Sequence, residues 1–160
     1  MIKDSGDRRE FETGAVRDMH VGKGKFDLMP LDVVSNILCG DRVLHELAYF
    51  MSSRDNIHLY SAIHNALESG DSDGNVMFNG CVYTMLLEVA IHFEEGAEKY
   101  GPHNWQRGLP VDCYIDSAVR HYIKWLRGDD DERHDRAFMW NLICCIWETK
   151  QNRSIERSDV

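Results

Sequence analysis

From Val82 to Tyr100 the apolar side chains recur at helical rather than strand spacing, and Gly101-Pro102 closes the stretch. Leu86, Ala90, Phe93 and Ala97 fall on one side of a helical wheel, which predicts an amphipathic helix that must bury that stripe. Two more stretches of this kind follow. Asp112 to Arg127 carries Ile115, Val119, Tyr122, Ile123 and Leu126, and ends at Gly128, a residue suited to a helix C-terminus. After the acidic loop Asp129-Asp130-Asp131, a third helix is predicted from Glu132 to about Lys150, followed by a polar tail.

The upstream half is weaker in pattern. Leu31 to Phe50 reads as a helix interrupted near Cys39-Gly40-Asp41, with Val43, Leu47 and Phe50 at helical spacing. Ile57 to Leu67 reads as a short helix with Leu59, Ile63 and Leu67 on one face. Ser69 to Asn75 is a loop by composition; its alternating acids resemble the start of a calcium loop, but no Glu stands at the closing position. Residues 1–27 are polar and read as an arm bending at Gly14, Gly22 and Gly24. No β-rich segment and no repeat is found. The expected fold is therefore an all-α bundle: an N-terminal arm packed on the domain (1–30), a helical catalytic domain (31–150) and a polar tail (151–160).

Charge is unevenly spread along the 160 residues. The first 27 hold six basic and six acidic groups, so the whole formal charge of -9 lies in residues 28–160. An acidic body argues against general nucleic-acid binding, which needs a basic surface. A cation-rich arm on an acidic body suits an anionic ligand that shares a metal held by carboxylates. No apolar run reaches the roughly 20 residues that span a bilayer. Met1 to Gly6 shows no apolar leader. Five cysteines without a CxxC pair fit neither a disulfide framework nor a structural zinc site and point to a reducing compartment, so a cytoplasmic protein is expected, with Cys144-Cys145 read as buried thiols in an apolar run.

Candidate chemistry resides in the acids. Glu94, Glu95 and Glu98 form an EExxE run in which helical spacing sets carboxylate pairs side by side. Glu132 and Asp135 make a second pair at i, i+3 at the start of a later helix, and Asp116 lies between; it can join the metal or pair with Arg120. Carboxylates on three successive helices are how di-metal bundles are built, and Mg2+ or Mn2+ suits oxygen ligands. His121 and His134 are the histidines nearest these acids; no HExxH, Walker A, GxGxxG or GxSxG pattern is present. Gly22-Lys23-Gly24-Lys25 is too short for a P-loop, yet its glycines let backbone N–H groups approach phosphate.

The string Thr13-Gly14-Ala15-Val16-Arg17-Asp18, then Gly22 through Pro30, resembles the N-terminal signature of a phage family of dATP/dGTP diphosphohydrolase-like proteins, related to the all-α MazG nucleotide pyrophosphohydrolases. Further matches are Gly96 to Gly101, Asn104-Trp105, Gly108, Asp116-Ser117-Ala118, Arg120-His121 and His134 through Asn141. The resemblance implies a metal-dependent cleavage of a purine deoxynucleoside triphosphate to monophosphate and pyrophosphate, in phage nucleotide-pool metabolism and hence in a host cytoplasm. The MazG pattern of EExxE and ExxD implies Glu94, Glu95, Glu98, Glu132 and Asp135 as metal ligands, with Glu88 and Asp116 in reserve. The gap between the two pairs is longer than usual for MazG, and the family accepts a basic residue at the position of Glu98.

Glu95, Glu98, Glu132 and Lys99 are thus expected in catalysis. Arg8, Arg9, Arg17, Lys23, Lys25, Asp27, Asn104, Trp105, Arg120, His121, His134 and Asn141 are expected around the substrate, with Phe26, Trp105 or Trp140 stacking on the base. The alternatives are a broad-specificity house-cleaning pyrophosphatase and a non-catalytic nucleotide-binding or host-interaction protein. Phe138, Trp140, Leu142, Ile143, Ile146 and Trp147 make the last helix apolar on more than one face, more than one small bundle is expected to cover. A homo-oligomer, a dimer or tetramer, is therefore expected.

Overall fold

Side-chain oxygens start two of the helices. Asp41 accepts from the Leu44 N–H at 2.9 Å and Asp55 from the Ile57 N–H at 3.2 Å, each filling a donor that the first turn leaves open. The structure, a computed structural model, describes residues 6–19 and 22–158, with side chains through Asn152. The expectation for Met1–Ser5 and the last two residues of the tail lie outside them. Among the described residues the order is β1 (Arg8–Glu10), β2 (Val16–Asp18), α1 (Leu31–Ile37), α2 (Arg42–Ser53), α3 (Asn56–Glu68), α4 (Val82–Tyr100), α5 (Val111–Arg127) and α6 (His134–Ser158). The chain is thus predominantly helical, as expected. No described helix is long and apolar enough to cross a membrane.

The centre is the pair α5 and α6, against which α3 and α4 pack. Tyr114, Ile115, Ala118 and Tyr122 of α5 meet Phe138, Met139, Leu142, Cys144 and Cys145 of α6, all fully buried. Tyr122 keeps its hydroxyl satisfied by donating to Asp41 Oδ2 at 2.7 Å, so one carboxylate both caps α2 and holds α5. Gly128 at φ 81° turns the chain out of α5, and the Asp129 N–H returns to the Lys124 carbonyl at 3.0 Å, which closes the helix in a Schellman pattern.

Three features differ from the sequence reading. First, α6 runs to Ser158 instead of fraying after Lys150. Second, the arm contains a hairpin: β1 and β2 pair antiparallel, with Arg8 opposite Asp18 and Glu10 opposite Val16. Three-residue strands are too short to show an alternating pattern. This one is completed by a side chain, since Asn104 accepts from the Val16 N–H at 2.8 Å and donates to its carbonyl at 2.9 Å. Third, α4 has the expected bounds but a different rotation. Met85 and Val89 are buried, whereas Leu86 is 52% and Leu87 73% exposed. Both faces of this helix are apolar, so the wheel alone selects the wrong one. Conversely α6, expected to exceed what one chain covers, is buried by α3, α4 and α5. Among the described residues, α4 leaves Val82, Tyr83, Leu86, Leu87 and Ile91 exposed, and a second exposed apolar set, Leu28, Met29, Val33 and Ile37, lies before and on α1.

Asn104 is 7% exposed and serves both polar atoms of Val16. Asn104→Ala leaves those groups without partners, at a cost of about 1–3 kcal/mol. Native-state hydrogen exchange should show the Val16 amide losing protection while the α5 and α6 amides change little. Unchanged protection at Val16 would count against Asn104 as the latch of the arm.

Candidate functional site

The arm, the C-terminal part of α4, α5 and the start of α6 enclose a cleft of about 720 Å³. The polar stripe of α5 faces it: Ser117, Arg120, His121 and Lys124 recur at helical spacing and all line the cleft. The arm contributes Arg17, Asp18 and Lys23. Arg17 is fixed by donating to the Cys113 carbonyl at 2.9 Å and to Asn141 Oδ1 at 2.6 Å, with its guanidinium 5.7 Å from the Trp140 ring. Arg120 donates to Asp116 at 2.6 Å and to the Lys23 carbonyl at 3.1 Å. It therefore holds the Gly22–Lys25 loop in place. Lys23 itself is exposed over the cleft.

Below the cationic loop, His121, Glu132 and His134 bring one ligand atom each within 4.8 Å of one another. His121 Nδ1 lies 3.0 Å from His134 Nδ1, and Glu132 Oε1 is 3.4 and 3.5 Å from those two nitrogens. On its other side His134 Nε2 meets Asp131 Oδ1 at 2.8 Å. Burial, reinforced by His134 and Arg120, holds the His121 pKa well below the usual histidine value, so its imidazole is neutral. His92, also in the cleft wall, is lowered to about 4 by burial against the opposing pull of Glu95. Asp129, Asp131 and His134 form a second such group.

The acids nominated from the EExxE and ExxD patterns are not gathered together. Glu94 lines the cleft, Glu95 turns toward Arg136 at 3.7 Å, and Glu98 is exposed. Glu94 and Glu95 diverge because successive side chains on a helix point about 100° apart. Arg136 also takes Glu88 at 2.6 Å, which ties α4 to α6. Asp135 is occupied by Arg133 at 2.8 Å. Asp116 is fully buried, with one oxygen accepting from Arg120 and the other from the Phe26 N–H at 2.7 Å. Among the described residues, no group of three ligand atoms within 4.8 Å includes Glu94, Glu95, Glu98, Asp116 or Asp135; Glu132 is the member of that set that joins one.

The substrate candidates divide likewise. Arg17, Lys23, Asn104, Trp105, Arg120, His121 and Asn141 line the cleft, and His134 stands behind His121. Asn104 and Asn141 are engaged by the arm. Arg8 pairs with Asp18 at 3.3 Å, Arg9 covers the Phe11 ring, and Lys25 pairs with Asp27 at 2.9 Å; none of Arg8, Arg9, Lys25 and Asp27 lines the cleft. Lys99, expected in catalysis, is buried in an ion pair with Asp18 at 2.8 Å. Phe26 lies under Arg120, away from the cleft, whereas Trp105 and Trp140 line it beside Phe93. The sequence reading did not single out Asp18, His92, Lys124 or Asp131 as site residues. For Lys124 the polar stripe of α5 carried the signal.

No curated protein and no solved structure matches the chain. A family model described as dATP/dGTP diphosphohydrolase, N-terminal, matches residues 65–158. The match spans more than half of the chain and includes the α5 stripe together with Glu94, Asp131, Glu132 and His134, while the arm lies outside it. The chain belongs to the family of the dATP/dGTP diphosphohydrolase N-terminal domain.

Proposed function

We propose that this protein hydrolyses a purine deoxynucleoside triphosphate, dATP or dGTP, to the monophosphate and pyrophosphate. The observation that carries the reading is one cleft that joins cations for a phosphate chain, an imidazole–carboxylate cluster and aromatic walls. The family description supports the substrate and the class of bond. The setting is nucleotide-pool metabolism in a cytoplasm, that of the host for a phage-encoded chain, with a MazG-like helical bundle as the scaffold.

In this reading Lys23 meets phosphate oxygens as a flexible ammonium group, while the fixed guanidinium groups of Arg17 and Arg120 set the floor on which the chain lies. Trp105 and Trp140 flank the base, where a purine offers more stacking area than a pyrimidine. Water attacks the α-phosphorus, a new P–O bond forms, and the bond to the α–β bridging oxygen breaks. Pyrophosphate leaves with that electron pair. Glu94, which lines the cleft, takes the proton of the attacking water. A divalent cation, Mg2+ or Mn2+, belongs to the proposal; Glu132 with the adjacent imidazoles would hold it, and their nitrogen and oxygen donors fit a divalent ion. When bound, it supplies neutralisation of phosphate charge and acidifies water.

Lys23 stands in the cleft and Lys25 outside it, paired with Asp27. Lys23→Ala is expected to lower kcat/KM about tenfold or more, a loss of about 1.4 kcal/mol, in the range for a charged hydrogen bond. Lys25→Ala should stay close to wild type. The assay is pyrophosphate release from a panel of deoxynucleoside triphosphates with identification of both products. Nucleoside diphosphate and orthophosphate as products, or a fully active Lys23→Ala, would refute the pose. Binding without release from any nucleotide would favour the non-catalytic alternative.

The proposal includes a homodimer through α4. Val82, Tyr83, Leu86, Leu87 and Ile91 form an exposed apolar face, while Glu88 of the same helix turns inward to Arg136 and Arg133. An apolar face placed on a two-fold axis meets its own copy, and that contact would remove these side chains from water. Light scattering at micromolar concentration should give twice the chain mass, and Leu87→Glu should give the chain mass. A monomeric wild type would remove this interface.

A further inference from the structure

We propose that His121, Glu132 and His134 form a mixed nitrogen–oxygen metal centre selective for Mn2+ over Mg2+, with Asp131 as its positioning residue. The role of this centre in phosphate cleavage rests on the function proposed above; its existence does not. The MazG pattern implies oxygen-only ligation, so the two ligand sets predict different spectra.

The tautomer follows from the hydrogen bonds. A carboxylate only accepts, so the 2.8 Å contact to Asp131 Oδ1 places a His134 hydrogen on Nε2; with that tautomer Nδ1 carries the lone pair that can ligate. That lone pair faces His121 Nδ1 at 3.0 Å and Glu132 Oε1 at 3.5 Å. Such separations match those between donors that share one cation with bonds of about 2.0–2.2 Å. Without a cation, the His121 Nδ1–H fills the gap by donating to His134. With a cation, His121 carries its hydrogen on Nε2 and both Nδ1 atoms are free to ligate. No net proton is released by that change of tautomer.

Asp131 completes a carboxylate–histidine relation that fixes the ring and raises its basicity as a ligand. Lys124 lies 3.3 Å from Asp131 Oδ2 and helps keep the carboxylate in place. His134 is only 2% exposed, so its ring cannot turn freely to offer Nε2 instead. Selectivity follows from the donors. Mg2+ prefers oxygen and keeps its waters, whereas two imidazole nitrogens favour an ion with greater affinity for nitrogen.

The test titrates Mn2+ into the full chain without nucleotide and records pulsed electron paramagnetic resonance for nitrogen coupling. Two directly bound imidazole nitrogens are expected, with one lost in His121→Ala. Asp131→Ala should weaken Mn2+ binding by about 10–100-fold while keeping the nitrogen signature, and Asp131→Asn should restore part of the affinity. Circular dichroism of the metal-free variants separates ligand loss from unfolding; a variant that unfolds is replaced by His121→Gln. Mn2+ bound without nitrogen coupling, no Mn2+ binding, Mg2+ binding as tight as Mn2+, or an unchanged affinity in Asp131→Ala would each overturn the proposal. Nitrogen coupling without nucleotide hydrolysis would leave this centre standing and remove the proposed function. Hydrolysis with oxygen-only Mn2+ would do the reverse.

Discussion

A buried carboxylate holds the site together. Asp116 is fully enclosed, and an ionised group in that position is stable only with partners for its charge. It finds them in Arg120 of its own helix and in the Phe26 N–H of the arm. Arg120 then reaches the carbonyls of Lys23 and Gly24 at 3.1 and 3.4 Å. A chain of two links, Asp116 to Arg120 and Arg120 to the loop carbonyls, therefore runs from the core of α5 to the loop that carries Lys23 over the cleft. Removing one member of such a buried pair commonly costs roughly 3–5 kcal/mol, because the other charge is left behind. The arm has little apolar area of its own, although Ala15 is fully buried and Phe11 packs against the core. Its placement depends on this ion pair and on the Asn104 bracket around Val16.

The helices are legible to the extent that local chemistry decides them. α4 and α5 end where Gly101 and Gly128 stand, and the break between α1 and α2 falls at Cys39-Gly40-Asp41. These boundaries are set by residues close in sequence. The rotation of α4 is not. Met85 and Val89 compete with Leu86, Leu87 and Ile91 for the interior, and only the position of α6 decides between them. The hairpin is hidden for a related reason, since the group that completes it, Asn104, is 88 residues away from Val16.

The site was legible by composition but not by pairing. The sequence marks the cationic arm, Arg17 and Lys23 within it, and the vicinity of Glu132, His121 and His134. It does not reveal that Lys99 is consumed by Asp18, Glu95 and Glu88 by Arg136, or Asp135 by Arg133. The EExxE run is attractive because its acids are adjacent in sequence, yet adjacency on a helix separates directions. His121 and His134 are 13 residues apart and meet because α5 reverses at Gly128 into α6.

That reversal also explains why histidine rather than a further carboxylate stands at the centre of the cluster. The first turn of α6 presents open N–H groups, where negative charge is favoured, and Asp131, Glu132 and Asp135 crowd there. Another carboxylate at position 134, buried among them, would add desolvation to like-charge repulsion. An imidazole in place of a carboxylate adds no further negative charge there. It donates to Asp131 on one side and keeps an acceptor atom toward Glu132 and His121 on the other. In the proposed metal centre this imidazole supplies a nitrogen donor between the carboxylates of Asp131 and Glu132. Glu132 stands at the edge of the cluster, its side chain 16% exposed.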